Sequence, residues 1–297
     1  MKQRFLLVLI SVLGFNVTCG QSNVWKYLGQ KPPGGSPEIF APGIISGKGR
    51  MHCFPAISQD WKEIYWMAIP PKIYFVEYRD GRWSDPEVLL LFEEYVCMRP
   101  FFSYDNERLY FSTANIPGGY GSLDIWYVER TGVGYSEPVN VGAPINTEKL
   151  ETQQTCTKDG TIYYCGWVEG KKFNRGILCS RYEDGKYSEP QILAEPINIV
   201  DTNAIDYTPY IAADETYLLF CSNRHNIKEE DCRIYVSFRS ETGIWNYPIN
   251  LSDRMGFDED SRDPYVSPDG KYLFFSSGEN IYWVDAKIID IVKGETN

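Results

Sequence analysis

The chain has 297 residues, 15% of them aromatic, with 22 Tyr and only two His. That length fits one large domain or two ordinary ones, and an internal repeat would make it one. The formal charge of -11 argues against a nucleic-acid partner, because a phosphate backbone is bound through surplus Lys and Arg, and the aromatic load favours pleated sheet over helix.

Residues 1–4 form a short basic start, residues 5–15 an apolar run, and Thr18-Cys19-Gly20 a small-residue stretch where a signal peptidase could cut. This predicts an export signal over residues 1–20, since the apolar run falls short of the ~20 residues of an ordinary spanning helix. Cys19 is a candidate lipidation site, with plain cleavage as the alternative, because Asn16 stands where a lipoprotein signal prefers Leu. The mature chain is expected to be periplasmic or outer-membrane-associated, without a transmembrane helix.

Residues 21–50 are polar and rich in Gly and Pro, with one strand-like piece, Glu38-Ile39-Phe40-Ala41. The remainder repeats. Aligned on the start of the first strand, the units begin at Pro55, Pro100, Gln154, Pro209 and Pro264, at intervals of 45, 54, 55 and 55 residues. They occupy about 51–92, 97–146, 151–198, 206–252 and 261–290. Each has an Asp-centred turn, as in Ser267-Pro268-Asp269-Gly270, then an aromatic strand such as Tyr272-Leu273-Phe274-Phe275. A third strand such as Asp124-Ile125-Trp126-Tyr127-Val128 follows. Four units then carry an aromatic-x-x-Pro signature before a fourth strand, at Trp83–Pro86, Tyr135–Pro138, Tyr187–Pro190 and Trp245–Pro248. Proline suits an outer strand, which can spare an amide donor.

The fifth unit lacks this element, and residues 36–44 match it in composition and proline position. The chain start is therefore expected to complete the last sheet and close a ring, giving an all-β, five-bladed β-propeller whose sheet edges are short and protected. A sixth blade is disfavoured, because residues 287–292 are the only unassigned apolar run.

The Ser-Pro-Asp-Gly-Lys turn, the Ser222-Asn223-Arg224 and Pro117-Gly118-Gly119-Tyr120-Gly121 loops and the Asp-Ile-Trp-Tyr-Val strand together resemble the WD40-like repeats of TolB-type periplasmic propellers. The resemblance covers residues 37–290 and implies an exported binding scaffold. Gln154 in place of a strand-opening proline, and Ala212-Ala213-Asp214-Glu215 in place of a full turn, depart from the pattern.

Long, irregular loops should gather on one face, at 114–123, 167–175 and 223–232, and such loops are where binding usually resides. Residues just before each inner strand should ring the channel mouth there. The binding candidates are His52, Arg99, Glu151, Asp206, Tyr207, Arg262 and Asp263. The links above add Glu93, Glu94, Glu148, Asp201, Asp253, Asp258, Glu259 and Asp260, a negative rim that would favour cationic groups. The plain alternative is a solvated rim with ion pairs at Arg99 or Arg262. Calcium at 258–260 with Asp263 is set aside for lack of the periodic spacing of a calcium loop, so neither a metal nor a cofactor is expected.

The main expectation is a non-catalytic scaffold recognising a protein or cell-envelope glycan. The alternative is a glycoside-hydrolase-like enzyme using Glu151, Asp206 and Asp263, since five-bladed hydrolases place carboxylates from different blades around such a channel. The turn at 267–270 only superficially resembles a sialidase turn, and Gly118-Gly119-Tyr120-Gly121 precedes no helix that would make it a nucleotide cradle. His225 is expected to be exposed in its loop. Of eight cysteines, Cys221 with Cys232, or Cys165 with Cys179, could form a cross-strand clip, while Cys156 aligns with core positions and reads as a small hydrophobe.

Overall fold

A computed structural model describes residues 23–47, 55–90, 95–114, 116–199, 204–224 and 231–295. Residues 1–20 with Cys19, together with His52, Cys53, Glu93, Glu94, Asp201 and His225, lie outside the described residues. No helix among those described is long and apolar enough to cross a membrane.

Five antiparallel sheets follow one another along the chain as the blades of a propeller. The innermost strands are Ala56–Ile57, Cys97–Phe102, Thr152–Cys156, Asp206–Ile211 and Arg262–Val266. Outer strands begin directly after the predicted prolines, as Glu87–Val88, Val139–Asn140, Gln191–Ile192 and Ile249–Asn250. In the fifth blade Glu38–Ile39 takes this place, with Glu38 opposite Trp283 and Ile39 opposite Tyr282. The chain start thus closes the ring.

Aromatic packing seals that closure. Phe40 is fully buried, 5.0 Å from the ring centres of both Phe274 and Trp283, and Tyr27 meets Trp61 edge-on at 5.1 Å. Burying a ring of this size contributes about 1.5–3 kcal/mol relative to leaving it in water. The apolar run at 287–292 belongs to a helix instead of another blade. After α1 (Leu251–Arg254), α2 spans Lys287–Gly294 and buries Ile289 and Val292.

Two devices recur from blade to blade. In the tight turns a Ser or Thr hydroxyl donates to an Asp two residues on: Ser58 to Asp60 at 2.8 Å, Ser267 to Asp269 at 2.7 Å, and likewise Ser103 to Asp105 and Thr157 to Asp159. The second lies in the inter-blade links, where a buried aliphatic residue is followed by a polar latch. Asn146 and Asn198 accept from the amides of Ile125 and Ile177 at 2.9 Å, and Ser252 and Ser46 do the same for Ile234 and Ile281. Each latch follows a plug, Ile145, Ile197, Leu251 or Ile45, that is essentially inaccessible.

Neither cross-strand cysteine clip forms, and packing, the reading favoured for most of the cysteines, is what burial supports. All six cysteines among the described residues are buried free thiols. Cys165 lies opposite Ile177 and Cys179 opposite Tyr163, so the two are offset along the ladder, a poor placement for the short Cα separation a disulfide requires. Cys221 lies opposite Ile234, while Cys232 precedes its strand. Burial pushes the Cys156 thiol up to about 12, in keeping with a packing role.

Candidate functional site at the channel mouth

In four inner strands the residue just before the aligned Pro or Gln has a left-handed backbone: Arg99 (φ 61), Gln153 (φ 59), Thr208 (φ 47) and Asp263 (φ 54). The ladder shifts register at each of these points. A non-glycine residue held this way costs about 1–3 kcal/mol and persists only where its surroundings over-determine it. Here they do. Gln154 donates from Nε2 to the Arg99 carbonyl at 2.8 Å and accepts from Ser112 at 2.8 Å, and the Thr208 amide donates to Gln153 Oε1 at 3.2 Å. Gln154, a departure from the repeat, therefore bridges blades 3 and 2. These bulges are not evident from residue types such as Arg, Gln, Thr and Asp. The one signal was the following proline, which disfavours right-handed helical backbone in the residue before it.

The bulges bring together two of the predicted site residues. Arg99 Nη1 of blade 2 donates to Asp263 Oδ1 of blade 5, joining blades that are not neighbours in the ring. Ser276 donates to the other carboxylate oxygen at 2.8 Å. Arg99 thus pairs with a carboxylate from across the ring instead of a neighbouring one.

Glu151 and Asp206 are engaged differently, Glu151 by the link that precedes it and Asp206 by groups of blades 3 and 4. Asp206 is fully buried. Its Oδ2 accepts from Lys171 Nζ at 2.8 Å and the Ile199 amide at 3.1 Å, and its Oδ1 from Arg224 Nη2 at 2.6 Å and Ser222 at 2.7 Å. Glu151, nearly as buried, accepts from the Thr147 hydroxyl at 2.7 Å and the Thr147 amide at 3.0 Å. Desolvation raises its carboxyl pKa above the ordinary glutamate value, although the two Thr147 bonds pull the other way.

Tyr207 and Arg262 turn to local partners, Tyr207 donating to Cys232 Sγ at 3.4 Å and Arg262 Nε to Asp260 at 2.8 Å. Asp260 also accepts from the Cys232 amide at 2.7 Å, so part of the acidic run is committed to protein donors. The glycine-rich loop behaves similarly. The amides of Tyr120 and Gly121 both donate to Asp124, at 2.5 and 3.0 Å, which gives them a carboxylate of the chain's own.

A ring of five four-stranded blades with charged residues at the mouth of its channel defines the molecule as a five-bladed β-propeller. No family model matches the chain, and no curated protein matches it in sequence. Solved structures do match in fold. An endo-arabinase from Bacteroides thetaiotaomicron is 16% identical with a TM-score of 0.53, over 82% of this chain and 95% of that one. An α-L-arabinofuranosidase from Lactobacillus brevis is 12% identical with a TM-score of 0.51, over 77% and 84%. The catalytic domain of an α-L-arabinofuranosidase from Coprinopsis cinerea is 11% identical with a TM-score of 0.51, over 80% and 88%. At such identity the likeness is one of fold. It nevertheless corrects the expectation of a non-catalytic scaffold, because the three structures just named are enzymes by their printed names, and the enzymatic alternative becomes the better-supported reading.

Proposed function

We propose that this protein hydrolyses glycosidic bonds in an arabinofuranose-containing polysaccharide at the channel mouth. The observation that carries the reading is the contrast among three carboxyl groups at the starts of successive inner strands. Glu151 is buried against a threonine with its pKa raised, whereas Asp206 and Asp263 face guanidinium or ammonium groups. Glycoside hydrolysis needs that division, one carboxyl able to deliver a proton to the leaving oxygen and a partner carboxylate to attack the sugar or activate water. Glu151 takes the acid role and Asp263 the carboxylate role. Arg99 and Ser276 orient Asp263, and Asp206, with both oxygens occupied, braces the adjoining loops. The arabinofuranosidases and the endo-arabinase of similar fold support the choice of sugar.

The test is release of sugar from arabinan and of nitrophenol from an aryl arabinofuranoside. Asp263→Asn should lower turnover of both by ~100-fold or more, as loss of a catalytic carboxylate does. Glu151→Gln should impair the polysaccharide far more than the aryl substrate, whose leaving group needs little protonation. Absence of release by the wild-type protein, or an Asp263→Asn variant that works as well, would sink the proposal.

Export through the segment at 1–20, with Cys19 as a possible lipid anchor site, belongs to the same proposal, since an envelope location would place the protein beside polysaccharide. The turn and loop motifs support a TolB-like origin of the repeat.

A further inference from the structure

The long-loop face carries a second feature that the roles above leave unused. Between blades 2 and 3 a cavity of about 260 Å³ is lined in part by Ser122, Glu148, Lys149, Trp167, Phe173 and Arg175. Two aromatic residues stand open there, Trp167 at 40% exposure and Phe173 at 67%. Exposed rings forgo the stabilisation that burial would give them, so two beside one concavity call for a reason. Phe173 is also held with a left-handed backbone (φ 54, ψ 16), a strained conformation for a bulky residue that recurs at ligand clamps.

Both walls of the cavity are braced. On the blade 2 side the Ser122 amide and hydroxyl donate to the Lys149 carbonyl at 2.9 and 3.0 Å, and Glu151 grips Thr147 below. Gly121 packs so closely on this turn that a Cβ would come within 2.4 Å of the carbonyl oxygens of Thr147 and Lys149. On the blade 3 side Lys171 anchors the loop to buried Asp206, the Asn174 amide donates to the Lys171 carbonyl at 2.8 Å, and the Val168 amide donates to the Asn174 carbonyl at 2.9 Å. Lys149 Nζ lies 5.0 Å from the Trp167 ring centre, a cation–π contact that steadies the indole. The aromatic residues are thus presented by a preformed frame.

We infer that this cavity is a sugar-binding subsite that seats one ring of a glycan chain, resting on the reading above for the identity of that glycan. A sugar ring offers an apolar C–H face to an aromatic surface and a rim of hydroxyls that both donate and accept. The lining matches both, with Trp167 and Phe173 for the face, Lys149, Asn174 and Arg175 as donors, and Glu148 as acceptor. Asp206 acquires a positioning role here, because through Lys171 it holds one wall.

The experiment titrates an arabinan oligosaccharide into the full chain by calorimetry and indole fluorescence, for the wild type and for Trp167→Ala, Trp167→Phe and Phe173→Asn. Asn tolerates the left-handed backbone at position 173 while removing the ring. Trp167→Ala should weaken binding by ~5- to 30-fold, the range for truncating an aromatic anchor. Trp167→Phe should recover most of that loss, and Phe173→Asn should weaken binding independently, with thermal melts confirming that each variant is folded. If Trp167→Ala proves unfolded, Trp167→Phe and Phe173→Asn decide. Unchanged affinity in the folded variants, or no binding by the wild type, overturns the subsite. Trp167-dependent binding without cleavage would overturn the hydrolase reading alone, and cleavage with Trp167-independent binding would overturn the subsite alone.

Discussion

The two faces of the ring are built on different principles. On the tight-turn face four blades repeat one device, a hydroxyl donating to an Asp two residues later. Even the degenerate fourth turn is compensated there, since Glu215 ion-pairs with Arg181 at 3.2 Å and with Arg239, and accepts from Tyr163 at 2.8 Å. On the long-loop face the links share the Asn or Ser latch, but the carboxylates of no two blades are engaged alike. Asp124 satisfies glycine-loop amides, Glu151 a threonine, Asp206 two cations, and Asp263 an arginine from a non-adjacent blade. A feature shared by every blade answers a problem shared by every blade, which is how to turn a strand tightly. A feature found once answers a local need, and loops are where such individuality gathers.

The sharpest way to break this comparison is to remove one unique node. Asp206→Asn should destabilise the protein by about 3–5 kcal/mol, because it leaves Lys171 and Arg224 buried without their countercharge. Chemical denaturation checks this, and a loss under 1 kcal/mol would mean the node is ornamental. Ser267→Ala should cost less, about 1 kcal/mol, since the hydroxyl serves the amides of Lys271 and Tyr272 at 3.2 and 3.0 Å in one of several equivalent turns. A loss as large as that at Asp206 would erase the distinction between the faces. Glu151→Gln should have the smallest effect, and one that depends on pH. Because burial raises the folded pKa, the proton on Glu151 stabilises the fold fully below the ordinary value of about 4.5, and that contribution fades as pH climbs through the folded value. Gln stays neutral throughout, so the variant's melting temperature should gain on the wild type's as pH rises from that value. A difference independent of pH would contradict the burial argument.

Much of the ring was legible because its signals are local. Asp-centred turns, aromatic strands and a proline before each outer strand recur at near-constant spacing, and even the closing strand at 36–44 carries its own proline. The latch of the inter-blade links, by contrast, was found only in the structure, although Pro144-Ile145-Asn146 and Pro196-Ile197-Asn198 repeat the residues that form it. The candidate site was legible only as a set of positions. Alignment placed Arg99, Glu151, Asp206 and Asp263 above their strands, yet their partners come from loops of irregular length, for which no periodicity exists.

By itself the sequence determined the blade count, the closure and the tight-turn chemistry, because each depends on residues a few places apart or on a pattern repeated five times. Tertiary structure alone decided that Arg99 meets Asp263 from two blades away, that Asp206 is consumed by two cations, and that Trp167 and Phe173 share one cavity. Those pairings depend on how the curvature of the ring brings distant loops together, and that curvature is a sum over all five blades which no single segment encodes.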